Sequence, residues 1–125
     1  MKFLTEEKIS SEINDTENAV YGNIEYRTKL LRPPGGMLCD TVCKVAEEKG
    51  YTIVCWSVDT LDWAHTPSDE IVNHVLSSVK GGDIILFHDF VSGQSTTIDA
   101  LKIIIPTLLE EGYRFVTVSE LIGAA

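Results

Sequence analysis

The chain has 125 residues, 44% of them hydrophobic, and a formal net charge of −9. A chain of that length fits one compact domain over residues 1–125, able to bury roughly two-thirds of its unfolded surface without staples. The acidic balance repels nucleic acid phosphates and anionic lipid alike, so neither nucleic acid nor a membrane is expected as a partner.

In chain order, MKFLTEEKIS turns acidic before a signal-peptide core can form, so no export signal is expected and the compartment is left open. Thr5 reads as a helix cap ahead of Glu6 and Glu7, and Ile9, Ile13 and Val20 recur at helical spacing, which predicts a helix from about Thr5 to Val20. Lys29 to Arg32 reads as a strand end, terminated by Pro33 and Pro34 because neither can donate to a ladder. Leu38, Val42, Val45 and Ala46 form one face of a second helix, stopped by Gly50. YTIVCWSV is a continuous β-rich run and predicts a strand buried on both faces. Pro67 suits the first turn of a third helix with the stripe Ile71, Val72, Val75, Leu76 and Val79, closed by Gly81 and Gly82. DIILFH predicts the third strand. A long helix follows, carrying Leu101, Ile104, Ile105, Leu108 and Leu109 and bent at Pro106. YRFVTV predicts a fourth strand leading to a cap at Ser119 and Glu120 and a short terminal helix or tail in SELIGAA.

Strands about 25 to 30 residues apart with helices between them are the pattern of parallel βαβ units. Such units bring the C-terminal ends of their strands to one edge, where sites are built. That edge would collect Arg32 with RPPGG, then Asp59, Asp62 and Trp63 in DTLDW, and finally His88 with Asp89. Taken singly, each has a plain structural reading, since an arginine pairs, an aspartate caps and a histidine packs. Their convergence from three strands favours a site. His65 and His74 lack that support and are read as structural. Cys39, Cys43 and Cys55 are too few and too odd for a disulfide framework and are read as buried or partly buried thiols, with no metal site among them.

RPPGG, DTLDW and ILFHD, in this order and at these separations, closely resemble three motifs of the polysaccharide deacetylase (NodB homology) family. EEKGYTIVCWSVDTLDW and EEGYRFVTVSEL are similar to it too, so the resemblance runs from about Phe3 to Leu121. It implies α/β architecture: parallel βαβ units forming part of a (β/α) barrel of the NodB type, about four strands and incomplete. It also implies hydrolysis of N- or O-acetyl groups on glycans such as peptidoglycan, chitin or xylan, with a divalent metal such as zinc. By position, His88 matches the histidine that protonates the leaving group, Asp62 the carboxylate that tunes it, and Arg32 the arginine that orients the catalytic aspartate. Leu86 and Trp63 match the pocket lining, and Gly35 stands where the family usually has an aromatic whose backbone N–H helps hold the oxyanion.

Two family motifs do not occur in the sequence: T-F-D-D-G, which supplies the base and one metal ligand, and H-x-x-x-H, which supplies two more ligands. The chain therefore resembles the C-terminal half of a deacetylase, expected to hold no cofactor of its own and to be inactive alone. The alternative is a non-catalytic relic that binds glycan or a protein partner. A weaker one is an unrelated hydrolase in which His88 and Asp89 pair on a metal. Strand edges left open by a part-barrel predict a homo-oligomer in which two half barrels cover one another, with each His88 near the shared interior.

Overall fold

The computed structural model describes residues 4–123, which divide into two compact units between Cys55 and Trp56. In the first unit, helix α1 (Glu6–Ile24) starts where the Thr5 side chain accepts from the Lys8 N–H at 3.3 Å, with Glu6 and Glu7 at its positive end. It runs four residues past the predicted Val20, straight through Gly22, and stops where Glu25 turns left-handed at φ 52° and its N–H bonds the Tyr21 carbonyl. A glycine inside a helix is a modest cost, about 1 kcal/mol, and does not by itself force a stop.

Helix α2 (Asp40–Glu48) lies against α1, and the two bury Ile9, Ile13, Val42 and Val45. Fully burying such a side chain contributes roughly 1.5–3 kcal/mol. The Lys44–Glu6 contact at 2.8 Å links the same helices from exposed side chains, where water screens the pair. Burial therefore sets this packing. Strands β1 (Leu30–Leu31) and β2 (Thr52–Ile53) pair in parallel, Leu30 opposite Thr52 and Leu31 opposite Ile53.

In the second unit, β3 (Val58–Asp59) pairs in parallel with β4 (Ile85–Leu86) across the intervening helix α3 (Ser68–Ser78). Helix α4 (Thr97–Glu110) lies on α3, and Val58, Ile71, Val72, Val75, Ala100, Ile104 and Leu108 form the core. Thr60, 2% exposed, donates to the Leu86 carbonyl at 2.8 Å and extends the β3–β4 pairing by one side-chain bond. The short helix α5 (Val118–Leu121) opens with a reciprocal cap: Thr117 accepts from the Glu120 N–H while the Glu120 carboxylate accepts from the Thr117 N–H.

Several expectations need correction. YTIVCWSV is not one strand buried on both faces: it contributes β2 to one ladder and β3 to another, residues 53–56 are only half-buried, and of the run just Val58 is buried. Its apolar composition serves two different partners, which one straight strand could not reach. YRFVTV forms no strand, for no described segment pairs with it, and Phe115 and Val116 stand 50% and 36% exposed. β-propensity needs a neighbouring strand to act on. Leu38 precedes α2 and is exposed rather than on its packed face, and Cys43 is exposed while Cys39 and Cys55 are half-buried.

Candidate active site

The centre of the second unit's site is Asp62, a carboxylate with 0% exposure between Leu61 and Trp63. It lies at the start of a 3₁₀ turn (Asp62–Ala64) flanked by two non-glycine residues in left-handed conformation, Leu61 at φ 54° and His65 at φ 58°. Such conformations are uncommon outside glycine and cluster where a fold fixes a side chain's direction. Four donors converge on the carboxylate. The His88 N–H reaches Oδ2 at 2.7 Å and the Thr97 hydroxyl reaches the same oxygen at 2.8 Å, while the His88 Nδ1 lies 2.8 Å and the Trp63 N–H 2.9 Å from Oδ1.

A buried charge survives only when it is hydrogen-bonded, and here it is fully supplied. Burial by itself pushes the Asp62 carboxyl up, but the His88 N–H, the imidazole and the Thr97 hydroxyl together outweigh it and hold the group below the usual aspartate range. With Asp62 ionised, Nδ1 of His88 carries the proton and donates it to Oδ1. Nε2 is thereby the nitrogen left for chemistry, on a side chain 38% exposed.

Of the expected site residues, Asp62, Trp63 and His88 are brought together by that one carboxylate. Trp63 is 54% exposed, and Leu86 ends β4 two residues before His88, half-buried. Arg32 and Gly35 belong to the first unit. The Arg32 guanidinium follows β1 and donates to the Val54 carbonyl at 3.1 Å and the Cys55 carbonyl at 3.0 Å, so it braces the chain beyond β2. Gly35 sits in a 3₁₀ turn (Pro34–Gly36) at φ 64°, a conformation that an aromatic side chain would strain. Asp89 is exposed.

Thr97 escaped the sequence reading. Its hydroxyl is one of several in STT at the start of α4, and only the fold shows it 5% exposed and directed at Asp62. Among the described residues, no three His, Cys, Asp or Glu side chains are grouped to hold a metal ion. The divalent metal that the resemblance implies therefore does not fit a ligand set of these residues, and no step below runs through it.

The polysaccharide deacetylase family model matches residues 1–54. Two peptidoglycan-N-acetylglucosamine deacetylases of Bacillus cereus are similar to the chain: one is 52% identical over 95 residues, covering 74% of this chain and 45% of its own length. The other is 38% identical over 115 residues, covering 91% and 42%. A family 4 acetyl xylan esterase from Clostridium thermocellum, solved with a cobalt ion, superposes with a TM-score of 0.90 at 31% identity, over 98% of this chain and 58% of that one. The chain thus spans about half the length of the relatives it matches. In sequence and in its α/β fold, the chain is similar to polysaccharide deacetylases along most of its length.

Proposed function

We propose that the chain carries the proton-delivering part of a polysaccharide deacetylase site, acting on acetylated glycans such as peptidoglycan, chitin or xylan. The observation that supports this best is the Asp62–His88 pair, in which a fully buried carboxylate fixes both the backbone and the ring of one histidine. Hydrolysis of an acetyl amide gives acetate and an amine, and the sugar nitrogen leaves readily only once it has gained a proton. In its imidazolium form His88 keeps Nδ1–H on Asp62 and gives the Nε2 proton to the sugar nitrogen as the carbon–nitrogen bond breaks, while the attacking water supplies the acetate oxygen and the proton that restores the imidazolium. Leu86 and Trp63 line the acetyl pocket, Gly35 supplies a backbone donor, and Arg32, already braced on the Val54 and Cys55 carbonyls, orients the catalytic aspartate of the family.

In this reading the chain is one domain, a part of a NodB-type barrel, and does not turn over alone. Without a base and a ligand set, the charge developing on the acetyl oxygen lacks a stabilisation of several kcal/mol. The 125-residue chain is expected to release no acetate from chitin oligomers or acetylated peptidoglycan with added zinc or cobalt. Metal-dependent release abolished by His88→Ala would overturn the inactivity and keep the role of His88. Release unchanged by that substitution would overturn the role itself.

The lack of a grouped three-ligand set among the described residues also favours a second reading, a non-catalytic relic binding glycan or a protein. Association of copies belongs to the proposal as well. Each described ladder has two strands, and the extended segment at 113–117 leaves Phe115 and Val116 exposed beside α4, whose Ile105 and Leu109 are 40% and 53% exposed. Open edges flanked by apolar side chains invite pairing. Light scattering is expected to give a mass above the 13.8 kDa of one chain; a soluble monomer that binds no hydrophobic dye removes this part.

A further inference from the structure

Phe90 is the most exposed large apolar side chain among the described residues, at 80%, and it stands two residues beyond His88. Its segment is fastened at both ends to one carboxylate oxygen, by the His88 N–H at 2.7 Å and the Thr97 hydroxyl at 2.8 Å. Between those ends, the Gln94 carbonyl lies 3.3 Å from Nδ1 of His65, and the Thr96 hydroxyl donates to the Thr66 carbonyl at 2.7 Å. A Cβ added at Gly93 would lie 3.5 Å from Cε1 of His65, in ordinary van der Waals contact. The exposure of Phe90 is therefore built into a tied loop.

On the facing segment, Trp63 offers a second exposed ring, and its N–H is bonded to the other oxygen of Asp62. Two aromatic faces thus stand in water on the two chain segments that meet at the histidine. Apolar rings held open beside a polar dyad suit a ligand with alternating C–H faces and hydroxyl edges, which describes a pyranose. The C–H bonds of a sugar face carry partial positive charge, and the ring face of an aromatic carries partial negative charge.

We propose that Phe90 is a stacking platform for a second sugar ring, the neighbour of the ring whose acetyl group faces His88. The inference rests on the deacetylase reading and deepens it: the site recognises a polymer over at least two residues, with Trp63 at the reacting ring and Phe90 at the next. Phe90 positions the glycan and takes no part in proton transfer.

The test titrates the whole 125-residue chain with the N-acetylglucosamine tetramer and with N-acetylglucosamine itself, following the His88 imidazole and Trp63 indole resonances. Phe90→Ala is expected to weaken the tetramer about tenfold and leave the monosaccharide unchanged, while Phe90→Trp keeps tetramer affinity. Wild-type affinity of Phe90→Ala for the tetramer, with the His88 resonances still responding, overturns the platform and spares the deacetylase reading. Tetramer binding that leaves His88 unmoved overturns the deacetylase reading, and the platform with it. Failure of the wild-type chain to bind the tetramer overturns both.

Discussion

Grafted into the Bacillus cereus deacetylase that it matches over 115 residues, the chain carrying His88→Ala is expected to release acetate about 10²- to 10⁴-fold more slowly than the unmutated graft. The host is a whole deacetylase of which the matched stretch is 42%, so the comparison isolates the one substitution. Without Nε2 the sugar nitrogen must leave unprotonated, which a well-placed donor avoids. On the proposed role of His88 the loss should fall mainly on kcat, since a leaving-group donor acts during reaction rather than on the resting glycan. Asp62→Asn should lose less: one oxygen still accepts, but the amide hydrogens now face donors. Circular dichroism of each graft separates a failed fold from failed chemistry. Activity of the His88→Ala graft within about threefold of its parent, at equal folding, would sink the proton-donor role.

Asp62→Ala is expected to destabilise the second unit by about 3 kcal/mol, from the urea midpoint at unchanged slope. The change removes the acceptor of four donors at once. The Thr97 hydroxyl, itself 5% exposed, then keeps a donor with no acceptor in a site closed to water. The effect has a pH signature. The folded carboxyl titrates below the ordinary aspartate value of about 3.9, so its contribution is fully present above that value and lost as pH falls through the folded pKa. Wild type and Asp62→Ala should therefore converge in stability below about pH 4 and separate above it. A difference under about 1 kcal/mol at neutral pH, or one that grows on acidification, contradicts the buried, ionised hub.

Much of the site was legible in the sequence because motif spacing constrains it. Asp62, Trp63 and His88 are joined as the order of DTLDW and ILFHD requires, and the β3–β4 pairing sets their register. Helix starts were legible at Thr5, where local capping chemistry decides the outcome. What failed depended on partners distant in sequence. YRFVTV has strand composition without a described ladder, and the single run YTIVCWSV divides between two ladders because its neighbours differ along its length. Thr97 was invisible for the same reason. A hydroxyl in STT reaches the buried carboxylate only when a turn 35 positions earlier in the chain arrives beside it.

That separation bears on how the chain reaches its native state. The bonds to Asp62 close loops of 26 and 35 residues, spanned by α3 and β4. Closing them costs conformational entropy before any bond repays it. The hub is therefore expected on the late, native side of the folding barrier, assembling after the α3–α4 apolar contacts have drawn the segments together. Substitutions at Asp62 should accelerate unfolding while leaving the folding rate nearly unchanged. The group that aims the histidine is also a latch on the lifetime of the folded second unit.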